Sequence, residues 1–376
     1  MSDHSIFAPS SGAQLIHCAG SVLLQAQFPE DEDSVASMTG TASHWWGAEH
    51  LADDGSRPPV GAVAPNGVTV TQTMTDGATQ WIEAVEDILA ESGTAAVMNV
   101  ERTVQIPSVH ELCYGTPDTD IWVPWSKTLH IVDFKGGRLL HEPEEHIQCV
   151  EYAEGRVLEL IAADPTLQDQ HITVVITIVQ PHAYHPLGTV RRWTCKASDL
   201  RGIINRLKAQ ALLALTANPP TVTGEGCRHC RARHACTANQ RRAYAAAEYV
   251  DTATARPLHG AELALELRIL EDAEDALKSR RTGLEQQAFH EAKTGGVPGY
   301  GLESSRGKLD WIKPAEDVVA LGDAMGVDLR KALAAITPTQ AKKLIDESVI
   351  SAYAAHTPGS ARLVRTDNLA QQVFGK

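Results

Sequence analysis

The sequence predicts an α/β protein in which a mixed central β-sheet is flanked by helices. Two stretches carry that expectation. HITVVITIVQP, beginning at His171, is an almost unbroken run of β-branched and apolar residues, the composition of a strand buried on both faces. LHIVDFK, from Leu129 to Lys135, is a second strand-like run. Around them lie helical periodicities at Thr71 to Ser92, in EEHIQCVEYAEGRVLEL and at Ser198 to Ala217, and strands bracketed by helices give a layered sandwich.

In chain order, Ser10 or Ser11 can cap a short helix running through Leu15 and Cys18, and the acidic PEDEDS that follows reads as a surface loop. Thr39 to Leu51 has a helical pattern and carries His44. Asp53 to Asn66, rich in Gly and Pro, connects it to the Thr71 helix, whose apolar side holds Trp81, Ile82, Val85, Ile88 and Leu89. Ala96 to Ile106 reads as the first strand, with Glu101 as an edge-strand surface residue or an outer partner of a metal site. DTDIWVPW pairs with LHIVDFK through the polar turn SKT, and TVRRWTC is the neighbour of HITVVITIVQP. Past residue 245 come a long amphipathic helix (Leu258 to Lys293, with Leu263, Leu267, Leu270, Ala273 and Leu277 at helical spacing), a loop with short strands, and short helices through Ile345. The expected division is 1–245 for the main domain, 246–350 for a mainly helical accessory domain and 351–376 for a flexible tail.

The chemistry concentrates between Tyr114 and Tyr152. Side chains alternate along a strand, so Asp133 and Lys135 share a face while Phe134 enters the core and leaves its carbonyl near the carboxylate. The hairpin brings Asp118 beside Asp133. Two carboxylates and a lysine at one strand edge suit phosphodiester hydrolysis assisted by Mg2+ or Mn2+: oxygen ligands hold the cation, and an ammonium steers water or offsets developing charge. D-x-K alone is a common tripeptide and equally describes a solvated strand end.

Gly115 to Asp118 followed by Asp133 and Lys135 resembles the G-x-x-D...D-x-K pattern of the PD-(D/E)XK nucleases, and Gln148 with Tyr152 resembles the Q-x-x-x-Y of their RecB-like branch. His44, in GTASHWW, resembles that branch's G-T-x-x-H. The resemblance implies a PD-(D/E)XK core in which His44, Asp118, Asp133 and the Phe134 carbonyl bind metal, Lys135 positions the attacking water, and Gln148 and Tyr152 contact the DNA backbone. Together with the cysteines below, it covers roughly residues 10 to 240.

Seven cysteines in a chain with no secretory signal are not expected to form disulfides. GCRHCRARHAC sets Cys227, Cys230 and Cys236 in a C-x2-C-x5-C run, one ligand short of a tetrahedral site or cubane. RecB-like iron-sulfur nucleases, including the CRISPR adaptation nucleases, carry one N-terminal cysteine and a C-terminal trio. By that resemblance Cys18 is the fourth ligand of a [4Fe-4S] cluster that staples the two ends of the domain. Zn2+, with His17, His229 and His234 as substitute ligands, is the alternative occupant. Cys113, Cys149 and Cys195 read as buried small hydrophobes.

A net charge of -14 argues against a protein that coats nucleic acid nonspecifically, but a local basic track can still guide DNA. Arg228, Arg231, Arg233, Arg241 and Arg242 form the candidate track, with Arg201, Arg206 and Lys208 as an extension; an ordinary solvated helix face is the alternative. MSDHSIFAPSSG lacks the pattern of a signal peptide and no apolar run is long enough to span a bilayer, so a cytoplasmic protein is expected. GLESSRGKL has one residue too many for a phosphate-binding loop. The C-terminal part resembles that of an uncharacterised family of phage-encoded RecB-like nucleases. The expected function is therefore a metal-dependent DNA nuclease, an exonuclease before an endonuclease, acting in phage or prophage recombination or replication in the bacterial cytoplasm. Its partners would be DNA, a phage single-strand annealing or single-strand-binding protein, and further copies of itself, with no membrane. The rivals are a module that binds DNA ends or a recombination partner with little catalysis, and a zinc-stapled structural protein.

Overall fold

The computed structural model describes residues 5–28, 34–52, 57–248, 259–304, 309–331, 334–356 and 361–365. A 3-10 turn (Pro9–Ser11) and short helices α1 (Gly12–Leu15) and α2 (Gly20–Gln25) precede the longer α3 (Val35–Leu51) and α4 (Gln72–Ser92). Next come β1 (Val97–Val100), β2 (Val104–Gln105), β3 (Tyr114–Gly115), β4 (Thr119–Val123), β5 (Thr128–Phe134), α5 (Ile147–Ala163), β6 (Thr173–Val179), β7 (Val190–Lys196) and α6 (Arg201–Ala214). The chain continues through α7 (Thr237–Glu248), α8 (Ala261–Thr294), β8 (Tyr300–Ser304), β9 (Leu309–Trp311), α9 (Ala315–Ala324), β10 (Arg330–Lys331) and β11 (Ala334–Ala335). It ends with α10 (Pro338–Ala341), α11 (Glu347–Ile350), β12 (Ala354–His356) and β13 (Ala361–Arg365).

The central sheet has the order β1-β4-β5-β6-β7, and only β5 and β6 run parallel. Lys127, at φ 53°, closes the turn between β4 and β5. A parallel pair needs a crossover, and α5 supplies it. The sheet is covered on both sides. Ile121, Val123, Val132 and Phe134 pack on Trp81, Val85 and Ile88 of α4 and on Ala48 and Leu51 of α3. Trp122, Ile131, Val174, Ile176 and Ile178 belong to the other core, with Val150 and Ala153 of α5 and Ile203 and Leu207 of α6. This double cover is why β6 reads as continuous hydrophobic sequence rather than an alternation. Among the described residues no helix is long and apolar enough to cross a membrane.

Three expectations change. The strand expected over Ala96 to Ile106 breaks at Glu101, whose φ of 45° turns the chain; β1 stays in the main sheet and β2 pairs with β3 instead. Leu263, Leu267, Leu270 and Leu277 of α8 are exposed, and the helix buries Ala276 and Ser279 instead, with Gly283 on the same side. A Cβ at Gly283 would lie 2.6 Å from Arg233 Cγ and 2.8 Å from the His234 nitrogen, so the missing side chain lets α8 seat on the cysteine turn. The region past residue 258 combines α8 to α11 with three two-stranded ribbons, and Trp311, Val318, Leu329, Ile345 and Ile350 form a small core there. Part of the expected tail, 351–376, belongs to those ribbons, since β12 pairs with β9 and β13 with β8; residues 357–360 and 366–376 lie outside the described ones. The expected loop from Asp53 to Asn66 is described from residue 57 onward.

Two buried polar groups tie α5 down. Arg156 Nε donates to Asp120 Oδ1 at 2.7 Å, and Asn99 Nδ2 donates to the same oxygen at 2.9 Å, which holds the helix to β4 and β1. Glu151 is fully buried under the N-terminal turn. Its Oε1 accepts from Cys113 Sγ at 3.7 Å while its Oε2 has no partner, and burial pushes its carboxyl up to about 8. The folded chain keeps this proton to about 8, whereas the unfolded chain releases it near the ordinary carboxyl value of 4.5, so stability falls as pH rises between the two. Glu151→Gln keeps the acceptor and removes the penalty. Thermal denaturation should give a Tm raised by several degrees at a pH above about 8, where about 1 kcal/mol is worth roughly 2–4 °C, and little change near pH 4; an equal effect at both pH values would contradict the assignment.

Candidate active site

The register of β4 against β5 pairs Thr119 with Val132, so Asp118 arrives beside Asp133 at the strand ends. The Phe134 backbone N–H donates to Asp118 Oδ2 at 2.6 Å, fixing that carboxylate across the pair. Lys135 Nζ lies 3.1 Å from Asp133 Oδ1 and 2.9 Å from Oδ2, and donates to Gln148 Oε1 at 2.8 Å. Gln148 Nε2 donates to the Tyr152 hydroxyl at 3.1 Å. The i, i+4 spacing on α5 therefore aims both side chains at the strand edge, and Arg156, one turn further, continues the same row onto Asp120. Gly115 is part of this fit, because a Cβ there would sit 2.9 Å from Tyr152 Cε1 and 2.8 Å from Pro9 Cδ.

His44 of α3 closes the other side. Its Nε2 lies 2.9 Å from the Phe134 carbonyl and its Nδ1 3.5 Å from Asp118 Oδ1. If Nε2 carries the proton donated to the carbonyl, the Nδ1 lone pair of a neutral ring faces a carboxylate, an arrangement that calls for a proton or a cation between them. Asp118 is raised to about 6, by burial first and by Asp133 in addition, against the opposing pull of His44, Lys135 and the Phe134 N–H. Burial works against the charged form of Lys135, but Asp133 and Asp118 outweigh it and hold the amine above its usual value. Asp133 Oδ2 is buried and makes no well-directed hydrogen bond despite the nearby ammonium. These lone pairs fit a hard cation. Among the described residues, no three His, Cys, Asp or Glu side chains are already drawn into a metal cage.

The sequence reading brought together every residue of this group but missed the histidines beside it. His146, at the N-terminus of α5, has Nε2 3.4 Å from His141 Nδ1. Burial holds His146 down at about 4 and His141 below the usual imidazole range, with Lys135 and Asp133 acting on both from opposite sides. Their position two residues before Gln148 and in the loop after D-x-K was the available signal. Glu101 also approaches: its N–H donates to the Asp118 carbonyl at 3.1 Å, and burial raises its carboxyl while His44 opposes that.

The cysteines expected to share a centre form a second locality. Burial raises the Cys227 and Cys230 thiols, Cys230 to about 11; Cys18 and Cys236 add to both shifts, and Cys227 adds to that of Cys230. Val222 N–H donates to Cys18 Sγ and Gly224 N–H to Cys227 Sγ, each at 3.4 Å, so both sulfurs receive the backbone donors that suit a thiolate. Of the alternative ligands, His229 Nε2 accepts from Arg228 Nε at 3.1 Å and His234 packs edge-on against Phe28. Cys113 and Cys149 are buried as expected, while Cys195 is half-buried.

The basic track is only partly available. Arg233, expected as a DNA contact, is 3% exposed and donates to the carbonyls of Arg228 at 2.7 Å and Cys230 at 3.2 Å and to Gln286 of α8, so it braces the cysteine turn. Arg242 pairs with Asp272 and Arg201 with Asp169. Arg228 and Arg241 are exposed and Arg231 is half-buried.

A search among curated proteins returns no match. Residues 4–369 match the model of the family described as a protein of unknown function, DUF2800. With nearly the whole chain matched, the protein belongs to that family.

Proposed function

We propose that the protein is a metal-dependent deoxyribonuclease with a PD-(D/E)XK core, an exonuclease that trims linear DNA during phage or prophage recombination or replication. The observation that carries this reading is the contact series from Asp133 through Lys135 and Gln148 to Tyr152, with Asp118 held by the Phe134 N–H at the same sheet edge. Mg2+ or Mn2+ held by the Asp118 and Asp133 carboxylates, the Phe134 carbonyl and His44 would polarise a phosphate oxygen and acidify water at the site. The chain's own residues do the rest. Asp133 and Gln148 fix the Lys135 ammonium from two sides, so its charge is in place before negative charge develops on the phosphate. Tyr152 orients the Gln148 amide so that its oxygen faces Lys135. The same backbone that supplies the Phe134 carbonyl also donates its N–H to Asp118, so carbonyl and carboxylate keep a fixed relation.

The cysteine locality supports a [4Fe-4S] cluster on Cys18, Cys227, Cys230 and Cys236. A linkage across some 200 residues would restrict the unfolded chain and hold α2 against the turn that α8 covers.

Lys135→Ala and Asp133→Asn should each lower hydrolysis of end-labelled linear DNA by about 100-fold or more while leaving Tm near that of the wild type; a folded, active Lys135→Ala protein would refute the site. A cation must compete with the proton on Asp118, so Mn2+ affinity measured by calorimetry should rise with pH up to about 6 and level off above it. Asp118→Asn should abolish that dependence, and a pH-independent wild-type affinity would contradict it. Protein purified without oxygen should be brown, absorbing near ~400 nm, and Cys230→Ser should lose the colour; colourless protein holding stoichiometric zinc would replace the cluster with the zinc alternative.

A further inference from the structure

Beside the site, two loops leave the same edge of the parallel pair β5 and β6 and are locked to each other. Gln180, fully buried, donates from Nε2 to the carbonyls of Gly137 at 3.2 Å and Leu139 at 2.6 Å, and its Oε1 accepts from the His141 N–H at 3.2 Å. Arg191, also buried, donates to the His141 carbonyl at 2.7 Å, to Gln180 Oε1 at 2.9 Å and to the Gly188 carbonyl at 3.1 Å. His185 Nε2 lies 3.4 Å from Glu142 Oε1. Loop 136–146 is thereby bound to loop 180–189 through buried polar groups that leave little freedom to either backbone.

These pinned loops turn apolar side chains outward. Tyr184 is 90% exposed, Leu187 79%, Leu139 48% and Leu140 44%. Single exposed apolar residues are ordinary, but four of them on two cross-linked loops form a shared rim. The rim adjoins the site. Lys135 N–H donates to the Val179 carbonyl at 2.8 Å, so Gln180 follows directly on the residue bonded to Lys135, and His141 of the first loop, 3.4 Å from His146, is near enough to feel the charges of Lys135 and Asp133. The first loop exposes Arg138 together with Glu144 and Glu145, while Glu142 faces His185 and Arg191.

We infer that this rim is a binding site for the unpaired bases of a single nucleic-acid strand whose backbone enters at Lys135, with Tyr184 as the stacking surface and Leu139, Leu140 and Leu187 as its apolar margin. The inference deepens the nuclease reading and rests on it for the direction of the strand. A single strand is the occupant these features fit: an aromatic face accepts any base, apolar margins exclude water from it, and the phosphates lie toward Lys135. In a paired duplex the base faces are already stacked and unavailable to Tyr184.

The test is fluorescence anisotropy without divalent metal, using labelled oligothymidylate and a blunt duplex of the same length. The full chain should prefer the single strand, and Tyr184→Ala with Leu187→Ala should weaken that binding by about tenfold while barely changing duplex binding. Both residues are exposed, so the double variant is expected to fold, and its unchanged Tm is the control. Equal single-strand binding by wild type and variant, or a wild-type preference for duplex, would overturn the inference. Cleavage of linear DNA by wild type is scored separately with Mn2+. A cleaving enzyme whose binding ignores the rim defeats only the rim, whereas rim-dependent binding without cleavage upholds the rim as a strand-binding site and defeats only the nuclease reading.

Discussion

The pairing of β4 with β5 is the constraint on which everything else depends. A shift of one residue in that register would carry Asp118 to the opposite face from Asp133 and leave the Phe134 N–H without its carboxylate acceptor. Buried neighbours hold the register in place. Trp122 packs into the α5 core while Ile121 and Val123 pack into the α4 core, so a slip would exchange two well-filled sides of the sheet. The turn at Lys127 and the pairing of β5 with β6 fix the other end.

Burial then makes the edge chemically unusual. Asp118, Asp133 and Lys135 are gathered at the end of a hydrophobic sheet, where water cannot fully solvate them, and each is consequently governed by the others. The carboxylate of Asp118 loses the preference for ionisation that it has in water, while Lys135 retains its charge only because two acids surround it. Natural folds tolerate such an arrangement at sites with a job to do, since packing alone would favour apolar residues there. The fully buried Asp120 contrasts with this. It meets Arg156 and Asn99 directly and serves as an anchor for α5.

The cysteine turn and α8 extend the same logic to the chain's ends. Arg233, Gln286, Gly283 and the carbonyls of the turn interlock, so the accessory region is built onto the cysteine locality. Arginines that look like a phosphate track in one dimension are in part internal braces.

The sequence alone determined the sheet-and-helix character, the central strand and the hairpin. These are local properties: β-branched composition, alternation across a strand and the four-residue repeat of a helix are all written within a dozen residues. The local period puts Asp133 with Lys135 and Gln148 with Tyr152, whereas His44 and Asp118 joined them through the resemblance to the RecB-like nuclease motifs. Only the tertiary structure decided what depends on distant neighbours. It broke the first strand at Glu101, where the chain must leave the sheet; it took Arg233 out of the solvent, because Gln286, 53 residues away, reaches it. It exposed the leucine row of α8, buried Glu151 and joined the two rim loops through Gln180 and Arg191. A periodic pattern says which side chains share a face, but which face finds a partner is settled by the packing of elements far apart in the chain.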